Sequence, residues 1–192
     1  MYAAYNILTA NKNLPVSLDY VKHNLRMDDL SHADDLIIGI IKACSSHVER
    51  LYGLALLTQT IAEYWTAFPT CNTTPMMLRI QPVLSITSVK YLDNEGIEQT
   101  WDNADYMTGR YNNTTFLIPK ANKIWPTAMT HPNAATITYS AGFGPTIETI
   151  PQDVRDAITL MATARFERPD DPVISLPRAS ELLLAPFYPY TA

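Results

Sequence analysis

Pro82 to Gly96 reads PVLSITSVKYLDNEG, and this stretch decides the fold class. Ile86, Thr87, Val89 and Tyr91 favour a half-buried strand, because β-branched and aromatic side chains pack well on a pleated surface. Asp93-Asn94-Glu95-Gly96 follows as a turn, with Gly96 able to take the positive φ that closes such a loop. Residues 97–101 then run back as the partner strand. Strand, tight turn and returning strand make an antiparallel hairpin.

The same pattern extends on both sides. Residues 57–68, 76–81, 85–92, 97–101, 105–111, 114–118 and 134–139 read as short strands, punctuated by Pro, Asn, Gly and Thr. Beyond them the apolar period becomes helical. Ser17 is placed to cap a helix over 17–27, with Asp19 in its first turn and Leu18, Val21 and Leu25 on one side. Residues 33–52 predict the longest helix, with Ile37, Ile41, Cys44, Val48 and Leu51 spaced 4-3-4-3 and the stripe widened by Leu36 and Ile40. Ser31 or His32 can cap its start, Asp34 and Asp35 suit its first turn, and Gly53 ends it. A third helix opens after Pro151 with Asp153 in its first turn, and its Val154, Ile158, Met161 and Arg165 repeat the 4-3-4 spacing. Ala157 and Ala164 permit close approach, so this helix is expected to pack on 33–52 and to place Ile41 and Ile158 in one core.

Strands grouped between helices imply an α+β fold: a small antiparallel helix bundle, an inserted antiparallel β-region and an extended C-terminal arm. The expected organisation is an N-terminal arm (1–16), a core domain (17–168) whose helices at 17–27, 33–52 and 151–168 surround a β-region at 57–140, and a docking arm (169–192). Five of the 14 prolines fall in that last segment, where each removes a backbone donor and fixes φ. Only residues 178–185 can form a helix there, and Leu182, Leu183, Leu184, Phe187, Tyr188 and Tyr190 are too apolar for a solvated tail. These six are the candidate docking residues; the competing reading folds the tail back over its own domain.

A chain of 192 residues fits one domain with extensions, and an apolar share of 47% supports a real core. The charged share is low, 17%, which is compatible with burial against other subunits. A net charge of −5 leaves no basic surplus to neutralise phosphates, so tight nucleic-acid binding by counterion release is not expected. Cys44 and Cys71 lack C-x-x-C spacing and read as two reduced thiols. No signal peptide or membrane span is readable, and the sequons at Asn72, Asn112 and Asn113 are chance matches in an unsecreted chain.

Catalytic or metal chemistry finds little purchase. His32, Asp34 and Asp35 look like ligands on paper, but adjacent residues on a helix point about 100° apart and first-turn acids answer to the helix dipole. His47 and Arg50 read as a flanking surface pair. Gly142-Phe143-Gly144 lacks the Lys-Ser/Thr of a phosphate loop, and Pro145 follows where a helix should start, so a strand-ending turn is the better reading. Trp65, Trp101 and Trp125 are expected in or beside the sheet rather than on a base-binding platform. The reading is a non-enzyme with no catalytic residue, no metal and no cofactor.

Several segments in order carry a resemblance. They are VERLYG at Val48 to Gly53, ALLTQT at Ala55 to Thr60, the 82–96 hairpin, SAGFG at Ser140 to Gly144, IPQDVRDAI at Ile150 to Ile158, and ARFER at Ala164 to Arg168. In this order they resemble the head–tail connector (head-completion adaptor) proteins of tailed phages and phage-like particles, over residues 17–184. The resemblance implies a structural protein of the virion neck, assembled in the bacterial host cytoplasm. It implies a homo-oligomeric ring, dodecameric, between the portal protein and the stopper or tail-completion protein. DNA would pass through without sequence-specific binding, and no membrane is involved. It also implies that the arm from Pro169 reaches the portal or a neighbour. The family's tyrosine–arginine ending after a leucine pair is here Leu-Leu-Leu-Ala-Pro-Phe-Tyr-Pro-Tyr, with no terminal basic residue. Two alternatives are another neck or minor tail protein and a small cytosolic enzyme.

Overall fold

A computed structural model describes residues 2–27, 31–169 and 177–188. The chain forms two compact units, each drawn from separated stretches. Among the described residues, one comprises 2–10 and 58–142 and the other lies within 11–57 and 143–188.

The first unit is all β. Its strands are β1 (Tyr2–Thr9), β2 (Gln59–Trp65), β3 (Met76–Met77), β4 (Val83–Leu92), β5 (Glu98–Trp101), β6 (Tyr106–Tyr111), β7 (Thr114–Pro119) and β8 (Ala135–Ala141). They make a five-stranded sheet ordered β1-β2-β8-β4-β5 and a three-stranded sheet ordered β3-β7-β6, antiparallel throughout. The hairpin of the opening stretch is β4–β5, with Leu92 opposite Glu98 and Val89 opposite Trp101. Gly96 closes it at φ +77°. Asp93 organises the turn: one carboxylate oxygen accepts from the amides of Glu95 (3.0 Å) and Ile97 (2.9 Å), the other from the Gln99 side chain (2.9 Å). Those donors, Gln99 first, hold its carboxyl below the usual range.

Seven of the eight strands fall where the sequence pattern put strands. The eighth corrects the expected layout, because the segment read as an N-terminal arm contains β1, which pairs antiparallel with β2 at the edge of the larger sheet. The β-region is therefore not one continuous insertion. The centre of this unit is filled by Ile61, Val89, Ile137 and Tyr139. An aromatic group adds Phe68, Trp101, Tyr106 and Trp125, with Phe68 stacked on Trp125 at 5.4 Å and Trp101 5.1 Å from Tyr106. Buried this way, Trp101 and Trp125 are core residues and offer no face to a base.

The second unit holds α1 (Leu18–Leu25), α2 (Asp34–Tyr52), α3 (Gln152–Glu167), α4 (Arg178–Leu184) and a 3-10 turn at Ala185–Phe187. Ser17 caps α1, its hydroxyl accepting from the Tyr20 amide at 3.1 Å. Gly53 ends α2 in the left-handed conformation. At the start of α2 the expectation of a Ser31 or His32 cap is corrected: the N-cap is Ala33, which makes no side-chain bond. The first-turn acids carry that end, Asp34 pairing with Lys22 of α1 at 2.9 Å. Ile37, Ile41, Cys44 and Val48 of α2 share one core with Val154, Ala157, Ile158 and Met161 of α3, so the two stripes meet as their spacing predicts. Two positions depart from the stripe. Leu36 is 60% exposed, and Tyr52 rather than Leu51 is buried at the helix end.

Candidate assembly surface

The C-terminal segment is where the sequence located docking chemistry. Residues 178–184 form the short helix expected there, and it packs on α3 rather than projecting as part of an extended arm. Proline explains this. Pro177 stands at the N-cap and Pro186 lies beyond the last turn, so both flank the helix and neither interrupts it. Ser180 and Leu184, four residues apart, face inward. The Ser180 hydroxyl donates to the Ala157 carbonyl at 3.1 Å, and the small Ala157 side chain lets α4 approach.

The six candidate residues separate accordingly. Leu184 is fully buried in the helical core, and Leu183 and Phe187 pack against that core, Phe187 edge-on to Phe143 at 5.8 Å. Leu184 is thus a structural residue of its own subunit, with no surface left to dock. Leu182 points away and is 68% exposed. Tyr188 is 58% exposed while its ring meets Tyr52 edge-on at 4.9 Å. Tyr190 lies outside the described residues. The available surface is the outer face of α4, where Arg178 and Glu181 flank Leu182, with Tyr188 beyond.

The candidate metal residues are not brought together. Asp34 is engaged by Lys22, His32 is exposed, and among the described residues no group of three His, Cys, Asp or Glu side chains could hold an ion. The Gly142-Phe143-Gly144 segment is a turn: the Gly142 amide donates to the Pro82 carbonyl at 2.9 Å, and a Cβ on Gly144 would collide with Thr149. Both cysteines are free thiols. Burial raises the pKa of Cys44, while a hydrogen bond with Thr73 at 3.0 Å lowers that of exposed Cys71.

One buried ionisable group escaped the sequence reading. Glu63 on β2 has no exposed surface. Its carboxylate accepts from the Tyr139 hydroxyl (2.8 Å) and the Arg79 amide (3.1 Å), and the Tyr139 hydroxyl accepts from the Ile80 amide (3.2 Å). Burial pushes its pKa up, and these donors only partly offset it. The signal was available in the strand period: Glu63 is two residues from Ile61 and so faces the same way. The cluster ties β2, β8 and the 79–80 segment together around one carboxyl, which is a structural role.

No family model matches this sequence, and no curated relative matches it. Solved structures do. A chain from the virion of the native gene transfer agent (GTA) particle superposes with a TM-score of 0.81 at 19% identity, covering 98% of this chain and 96% of that one. A chain from the neck of the empty GTA particle, computed with C6 symmetry, gives 0.80 at 18% identity, covering 98% and 97%. One from the neck of the native GTA particle, computed with C12 symmetry, gives 0.74 at 19%, covering 98% and 97%. This chain has the fold of those particle components. The likeness spans both units and nearly the full length of each chain.

Proposed function

We propose that this protein is a structural component of the neck of a tailed-phage or gene-transfer-type particle, a head–tail adaptor that forms a ring between portal and stopper. The observation that carries the reading is the near full-length match to a GTA virion chain, TM-score 0.81 over 98% of the residues. A single shared domain within unrelated proteins would leave much of one chain unmatched. The C12 and C6 symmetries of the matching necks favour a homo-oligomer around an axis, and a dodecamer satisfies both.

The chemistry of the chain supports a mechanism of assembly rather than catalysis. The fully buried carboxyl, Glu63, is engaged by Tyr139 and the Arg79 amide inside the sheet unit rather than presented to a substrate. A net charge of −5 suits a conduit wall, which must let DNA slide and must not grip its phosphates. The exposed face of α4 and the segment after it serve as the docking arm toward the portal or an adjacent subunit. Subunit copy number tests the reading: native mass of the purified protein, and protein stoichiometry of isolated particles, should both give about a dozen copies. A chain that remains monomeric and is absent from particle necks refutes it.

A further inference from the structure

Helix α2 carries a second line of apolar and small residues that its own unit covers only in part: Leu36, Gly39 and Ala43 are exposed, and Ile40 is half-buried against the core. Leu36 stands three and four residues before Gly39 and Ile40, which stand four and three before Ala43, so the four share a face beside the stripe formed by Ile37, Ile41 and Cys44. Beyond its own helical backbone and chain neighbours, no atom lies within 4 Å of where a Cβ on Gly39 would stand. With Asp35, Arg165 and Pro169, these residues line a groove of about 380 Å³ between the start of α2 and the end of α3. The other end of the helical unit carries the projection: α4 is fixed there by Ser180 on Ala157, in the first half of α3, and by Tyr188 on Tyr52, the last residue of α2.

We propose that the exposed face of α4 in one copy seats in the α2–α3 groove of the next copy, making this contact a subunit joint of the ring. The inference rests on the ring reading above and names the partner of the α4 surface: a second copy of this chain. Leu182 is the apolar knob, and Gly39 and Ala43 give the close approach it needs between Leu36 and Ile40. The charges correspond in sign. Arg178 and Glu181 flank Leu182, while Asp35 and Arg165 rim the groove, and among the described residues no ion pair engages any of the four. Knob and groove lie at opposite ends of one unit, so their contact is head-to-tail. Such a contact propagates from copy to copy and closes when its rotation divides a full turn.

Disulfide trapping tests the joint. In a Cys71→Ser background, where the remaining Cys44 is buried, a chain carrying both Gly39→Cys and Leu182→Cys should give a ladder of linked multimers on mild oxidation. Two chains that each carry one of the introduced cysteines should stop at dimers when mixed, and each alone should give none. Leu182→Glu, at an exposed position, should raise the assembly midpoint on the order of tenfold or more. Asp35→Arg should weaken assembly, and adding Arg178→Asp to the same chain should restore it. Rings that form normally with no ladder, or that ignore the charge exchange, overturn this contact and leave the neck reading intact. A wild-type chain that forms no ring in solution or in particles overturns both.

Discussion

Leu182, Leu183 and Leu184 are chemically identical neighbours with three different surroundings, and alanine at each should separate them. Leu184 is fully buried in the helical core, so Leu184→Ala loses both transfer energy and packing, about 2–5 kcal/mol. At about 2–4 °C per kcal/mol for a chain of this size, the melting temperature should fall by about 4–20 °C. Leu183, partly buried, should fall between. Leu182 is 68% exposed, and Leu182→Ala should stay within about 0.5 kcal/mol of wild type. Urea titrations followed by far-UV circular dichroism read all three, since α4 and its support on α3 are helical. A chain ending before Pro177 loses the buried Leu184 and the Ser180 bond together, so it should melt earlier than the full chain. Equal costs at Leu182 and Leu184, or a truncated chain as stable as the parent, would show that α4 does not belong to this core.

Two further outcomes test the cores. Ile41→Ala, at the centre of the α2–α3 contact, should cost about 2–5 kcal/mol in chemical denaturation, and a cost under about 1 kcal/mol would place it elsewhere. Tyr139→Phe leaves the Glu63 carboxylate and the Ile80 amide each short of a partner, about 2–4 kcal/mol together. Burial raises the Glu63 pKa above its ordinary 4.5, so the folded state holds that proton after the unfolded state has released it. Stability from this group therefore falls as pH rises from 4.5 through the folded pKa. The fall should extend to higher pH in Tyr139→Phe, which has lost a donor to the charged form, and should vanish in Glu63→Gln; a pH series of unfolding midpoints that ignores Glu63→Gln refutes the assignment.

The β4–β5 hairpin was legible because two independent local signals agree there, an alternating strand and a turn that requires Gly96. β1 was not. Its sequence from Tyr2 to Thr9 has two adjacent alanines and no sustained alternation, and it is a strand because β2 supplies its hydrogen bonds from more than fifty residues away. At the end of α2, Leu51 and Tyr52 lie three and four residues beyond Val48, and helical spacing accepts either. The choice of Tyr52 depends on Tyr188, which a local reading cannot see. The docking face was half legible for the same reason. Composition marked the leucines and aromatics as needing cover, but only the position of Ala157 on α3 decides that Leu184 is covered within its own subunit and Leu182 is not.

The place of β1 constrains how such a chain can be cut and exchanged. The sheet looks like a cassette spliced between two helices, yet one of its strands is encoded before the first helix. Excising residues 58–142 would remove β2, the strand that β1 pairs with among the described residues, and leave the exposed Ile7 and Leu8 on a strand without that support. Transplanting that block alone into another helical scaffold would import a sheet whose β2 edge is bare. A crossover that moves the sheet intact must carry the first ten residues as well, and so must take α1 and α2 with it.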